Sequence, residues 1–232
     1  MTESKHYDPY HLACVLLLDK SGSMSGKPIN ALNEALIDFK GRFESDNEDF
    51  SVLDICIIAF GGSGPKGDIP DIEILQPFAP ANEMYYDTEN YPIYAYGEAP
   101  LAQAVETGLG MITQIETGYH QNEIEYYIPC LVCITGGKST EDYEYYNYVK
   151  QSLKKSVGKK HVMAYGIGIG ADCNYKKLYE FFGEGCTFRF EDLPDKGSLE
   201  IFFSKVVSSD IRCMIDIMSD IHAHEDPFDW YR

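Results

Sequence analysis

The sequence predicts an α/β domain with a doubly wound, mostly parallel central sheet flanked by helices, and three observations predict it. Short runs apolar on both faces recur along the chain, as expected of strands covered by helices above and below. Between them the apolar residues recur at three and four positions, the stripe of an amphipathic helix. The two patterns alternate five or six times with no repeat, low-complexity tract or linker between them, which marks this class and one domain.

In chain order, residues 1–11 are a polar extension, residues 12–218 the domain and residues 219–232 a mostly polar tail. Leu12 to Asp19 is the first buried strand. Pro28 suits the first position of a helix whose stripe is Ile29, Leu32, Leu36, Phe39 and Phe43, ended by residues 45–49. Val52 to Phe60 is the next strand, followed by a Gly-rich loop over residues 61–67. Ile72 to Phe78, with prolines at 70 and 77, reads as a short edge strand. Residues 79–96 form an irregular segment containing Tyr85, Tyr86, Tyr91, Tyr94 and Tyr96. Residues 97–100 open a helix with Leu101, Val105, Gly108, Ile112 and Ile115 on one face. Tyr127 to Thr135 is a third buried strand, and a helix from about Glu141 to Lys155 presents Tyr145, Val149 and Leu153. His161 to Ile169 is a fourth strand, whose glycines at 166, 168 and 170 read as easing its exit. Asn174 to Phe182 is a short helix, Cys186 to Phe190 a last strand, and Leu199 to about Met218 a closing helix.

The 232 residues carry a formal net charge of −18, which argues against nucleic acid and anionic membranes, since phosphate recognition needs Lys and Arg. Such acidity reads as solubility rather than as a specific cationic partner. The seven Cys lack a disulfide framework. Cys130 and Cys133 mimic a C-x-x-C motif, but on a strand they face opposite sides and cannot share a metal. The first apolar run lacks the basic flank and cleavage site of a signal peptide, and no run approaches the ~20 apolar residues of a membrane span, so a cytoplasmic location is expected.

The candidate site is Asp19-Lys20-Ser21-Gly22-Ser23 at the exit of the first strand. One carboxylate and two hydroxyls spaced i, i+2, i+4 form a cluster of hard oxygens suited to a Mg²⁺-sized cation. This stretch resembles the D-x-S-x-S motif that opens the metal-ion-dependent adhesion site of von Willebrand factor A (VWA) domains. The resemblance extends over roughly Leu12 to Ile211 and is similar to the bacterial TerY-like branch associated with tellurite resistance, carried further by residues 130–142 and 202–211. It implies a VWA/Rossmann-like fold, Mg²⁺ or Mn²⁺ at Asp19, Ser21 and Ser23, and a partner protein whose carboxylate completes the metal's coordination. It also implies a stress-response setting with signalling kinases or phosphatases as partners. Two family positions differ. Ala99 stands where a coordinating Thr is expected, and Gly136, in Thr135-Gly136-Gly137, where an Asp is expected. Three side chains remain as a reduced site, with Glu98 a candidate for compensation.

Other motifs fail. Val132 occupies the leading Gly position of a P-loop ending at Gly137-Lys138-Ser139, Met24 replaces the Ser of a nucleophile elbow, and Gly166 to Gly170 lacks dinucleotide-binding spacing. His222, His224 and Glu225 read as a solvated tail. No His is placed beside a nucleophile, so no enzyme is expected. The tyrosines are rigid, amphipathic contact residues of the kind enriched at recognition surfaces. Tyr94 and Tyr96 precede the second site loop. Tyr143 falls off its helix stripe and Tyr146 lies at the margin, so these four are expected to meet a partner. Three readings follow: a metal-dependent protein-binding module, the same fold binding through tyrosine-rich loops without metal, and a hydrolase or phosphotransfer enzyme using Asp19, for which Gly136 removes the likeliest second acid.

Overall fold

A computed structural model describes residues 10–45, 52–62 and 71–190, without the side chains of residues 42–45. Among the described residues six strands form one sheet: β1 (Leu12–Asp19), β2 (Leu53–Phe60), β3 (Ile72–Pro80), β4 (Cys130–Thr135), β5 (Met163–Gly168) and β6 (Thr187–Arg189). The α-helices described alternate with them: α1 (Lys27–Ser45), α2 (Leu101–Gln121), α3 (Tyr143–Gly158) and α4 (Tyr175–Phe182). The strand order is β3-β2-β1-β4-β5-β6, parallel except for β3, which runs antiparallel along one edge.

The two-faced apolar runs become strands because each face is covered. Leu16 and Leu18 point to a core closed by Leu32, Leu36 and Phe39 of α1. Val15 and Leu17 point to the other core, closed by Leu101 and Val105 of α2, Val149 and Leu153 of α3, and Phe181 of α4. The alternation also separates the C-x-x-C pair, Cys130 lying in the first core and Cys133 in the second. Order reverses at β1, from which the chain winds to β2 on one side while β4 lies on the other. The carboxyl ends of β1 and β4 therefore flank the crevice where open α/β sheets bind ligands.

Several element boundaries move. The third buried strand begins at Cys130 rather than Tyr127, and α3 spans Tyr143–Gly158 rather than starting at Glu141. Ile115 is only half-buried, and the α2 stripe runs on through buried Tyr119 instead. The buried stripe of α3 is Tyr146, Val149 and Leu153, so Tyr146 takes the place assigned to Tyr145. The α1 stripe is buried as expected from Ile29 to Phe39. The side chain of Phe43, the Gly-rich loop beyond residue 62, the closing helix over 199–218 and the tail with His222, His224 and Glu225 lie outside the described residues. Among the described residues no helix is long and apolar enough to cross a membrane.

Candidate functional site

The β1 strand ends by delivering Asp19, fully buried, into the crevice. Its Oδ1 accepts the Ser21 backbone N–H at 2.8 Å. Its Oδ2 accepts the Thr135 hydroxyl at 2.6 Å and the Gly136 N–H at 3.1 Å, both from the end of β4. Burial pushes the Asp19 carboxyl above the usual carboxylate range, and the Thr135, Ser21 and Gly136 hydrogen bonds pull it back. Thr135 is itself fixed, its Oγ1 accepting the Gly137 N–H at 2.9 Å. Thr135 was missed in the sequence, where it read only as the last residue of a strand.

Beyond Asp19, a short turn over Gly22–Met24 places the Ser21 and Ser23 hydroxyls 3.0 Å apart, Ser21 buried and Ser23 exposed. Neighbouring ligands of an octahedral ion with bonds of about 2.1 Å also lie roughly 3.0 Å apart, so the spacing suits either a hydrogen bond or a shared cation. The loop is held from two sides. Lys20 N donates to Phe60 O, Gly22 N donates to Gly97 O, and Tyr96 N donates to Lys20 O. Gly61 sits so close beneath it, at φ 113°, that a Cβ there would lie 2.6 Å from the Ser21 nitrogen.

The two substituted positions are in place around this loop. A Cβ at Gly136 would lie 3.1 Å from Ser23 Oγ, so a side chain there would enter the serine pair directly. Ala99 is buried, and its N–H donates to Thr140 Oγ1 at 3.1 Å. Glu98 is exposed, and its carboxylate makes no hydrogen bond or ion pair with any described residue. Of the oxygen-bearing side chains expected to hold a divalent cation, Asp19, Ser21 and Ser23 stand together at this loop. Among the described residues no group of three or more His, Cys, Asp or Glu gathers as a metal site.

The tyrosines divide. Tyr94 and Tyr96 line one cavity of about 570 Å³ together with Tyr85, Tyr86 and Tyr91. Tyr143 and Tyr146 do not line it. Tyr143 is 76% exposed, but Tyr146 is 7% exposed, against the expectation that it meets solvent. The reason is α4: the Tyr146 ring packs edge-on against Phe181 at 5.2 Å, with the Lys150 and Lys177 ammonium groups over it at 5.5 and 5.7 Å. Lys20 turns from the loop into the tyrosine cavity and pairs with Glu73 Oε2 at 2.7 Å.

No protein-family model matches the chain, and no curated protein matches it. Solved structures do. The pilus adhesin SpaC from Lactobacillus rhamnosus GG, in its open conformation, aligns with TM-score 0.65 at 12% identity over 84% of this chain and 29% of that chain. Manganese-loaded TRAP protein from Plasmodium vivax aligns with TM-score 0.54 at 16% identity over 83% of this chain and 72% of that chain. Proximal thread matrix protein 1 from the mussel byssus aligns with TM-score 0.51 at 14% identity over 84% of this chain and 47% of that chain. This chain thus spans less than a third of the adhesin and about half of the byssus protein. At such identities the likeness shows the fold, and the fold is VWA-like.

Proposed function

We propose that the chain is a non-enzymatic protein-binding module whose recognition face is the rim around the β1 and β4 carboxyl ends. The observation that carries this is the joining of the Asp19 loop to the tyrosine segment by backbone hydrogen bonds at Lys20, Gly22 and Tyr96, which makes the loop and the rings one surface. The adhesin among the similar structures supports the binding role. Asp19, Ser21 and Ser23 would hold Mg²⁺ or Mn²⁺ weakly, the ion supplying a positive charge toward a partner's carboxylate. The manganese carried by the similar TRAP protein supports this reading. The TerY-like resemblance supports a cytoplasmic stress-response or tellurite-resistance setting with kinase or phosphatase partners.

A second reading, in which the face binds without metal, is favoured by one specific observation. Both Asp19 oxygens already accept hydrogen bonds from protein donors, so the carboxylate is satisfied without an ion.

Calorimetric titration of Mg²⁺ and Mn²⁺ separates the two. The metal-dependent reading expects saturable heat at millimolar metal, lost in Asp19→Ala. The metal-independent reading expects none from the natural chain, with binding appearing in a Gly136→Asp, Ala99→Thr double variant. Turnover of generic phosphoester or peptide substrates that disappears in Asp19→Ala would overturn the non-enzymatic reading altogether.

A further inference from the structure

The tyrosine cavity carries chemistry of its own. Its wall is the segment after β3, and that segment is fastened rather than loose. Gln76 Oε1, from fully buried Gln76, accepts the Tyr85 and Tyr86 N–H groups at 3.1 and 3.0 Å. Asn33 of α1 grips Ile93 from both sides, donating to its carbonyl and accepting its N–H, each at 2.9 Å. The Tyr86 hydroxyl donates to Tyr91 O at 2.9 Å. A backbone held this way loses little freedom on binding.

The cavity already holds one cation. The Lys20 side chain, 6% exposed, reaches Glu73 at 2.7 Å and lies over the Tyr96 ring at 5.7 Å. An ammonium group is thus stabilised here by a carboxylate and a π face together. Two further rings and a second carboxylate line the same cavity. Tyr91 and Tyr94 are each 72% exposed, and Asp87 also lines the cavity, its carboxylate hydrogen-bonded to exposed Asn90 at 2.7 Å. Lys40 acts on Asp87 from a neighbouring depression that it lines with Thr88 and Glu89. A volume of about 570 Å³ exceeds one side chain and lies in the range of ligand sites.

We propose that this groove docks an extended segment of a partner protein bearing an Arg or Lys side chain, its cation set between Tyr91, Tyr94 and Asp87. The net charge of −18 attracts such a segment from a distance, while the rings and the carboxylate select it. This rests on the reading of the chain as a protein-binding module, but not on a metal at Asp19.

The test is display selection of randomised short peptides against the intact protein, followed by titration of the selected peptides by fluorescence anisotropy. Selected peptides should be rich in Arg or Lys, and replacing that residue by citrulline should weaken them at least about tenfold. Tyr91→Ala with Tyr94→Ala, or Asp87→Asn, should weaken them comparably, with unchanged melting curves as the folding control, while chelation of divalent cations by EDTA leaves affinity intact. Peptides that are acidic or neutral, that bind the tyrosine variant equally well, or that fail to enrich would overturn the proposal. Peptides lost only on chelation by EDTA would place recognition at the metal loop, leaving the module reading standing without this groove.

Discussion

Thr135 is what makes a buried Asp19 tolerable. Its hydroxyl donates to Asp19 Oδ2 and accepts from Gly137 N, so one small side chain satisfies a carboxylate and a turn. Thr135→Val keeps the shape and removes both bonds, and should lower stability by about 1–3 kcal/mol in urea denaturation. An unchanged midpoint would show that the carboxylate finds its donors elsewhere. Tyr86 supplies a second residue-scale expectation. Burial, with the Glu73 and Asp87 carboxylates adding to it, pushes its phenol up to about 12. The folded state then keeps a proton that the unfolded chain releases near 10. Stability from Tyr86 is full below about pH 10 and falls as pH rises toward 12. Denaturation across that window should show the natural chain losing stability faster than Tyr86→Phe, and parallel curves would contradict the assignment.

At the scale of elements, α2 begins without a cap of its own, because Pro100 precedes it and offers no side-chain acceptor. Glu141, distant in sequence, fills the role. Its carboxylate accepts the Ala102 and Gln103 N–H groups, each at 2.7 Å, and the Ser139 hydroxyl at 2.8 Å. A carboxylate there also meets the positive end of the helix. Glu141→Ala should therefore cost about 0.5–2 kcal/mol, read by chemical denaturation, whereas Glu144→Ala serves as a control of equal charge. The glycines of β5 tell a different story from their expected role at a strand exit. A Cβ at Gly166 would lie 2.5 Å from the Phe182 ring, and one at Gly168 would lie 2.4 Å from the Tyr175 ring. They are seats for α4. Gly166→Ala should destabilise by about 1–3 kcal/mol through overpacking, and a neutral result in thermal unfolding would mean that α4 shifts freely.

At the scale of the whole molecule, the strand order puts the ends of β1 and β4 side by side, and the chain as a whole carries a net charge of −18. Binding of a basic peptide at the rim should accordingly weaken as salt rises from about 50 to about 500 mM, because the attractive field is screened within a few ångströms at the upper limit. Salt-independent affinity, measured by anisotropy, would mean that the contact is apolar and that net charge plays no part. The same topology explains how much could be read beforehand. Leu16 and Leu17 must face opposite cores because strand side chains alternate, so the two-layer sandwich was legible in the apolar runs. The choice between Tyr145 and Tyr146 was not legible, because either fits a stripe with Val149 and only the docking of Phe181 decides.

The sequence by itself determined the alternating architecture, the place of Asp19 at a strand exit, and the lack of side-chain oxygens at Ala99 and Gly136. These follow from local periodicity and residue chemistry, which need no partner to be expressed. Tertiary structure alone decided that Thr135 holds Asp19, that Glu141 caps α2, and that Lys20 turns away from its own loop to meet Glu73 and Tyr96. Each joins residues 38 or more positions apart, and a contact of that span is set by how the layers close rather than by anything in the adjacent sequence.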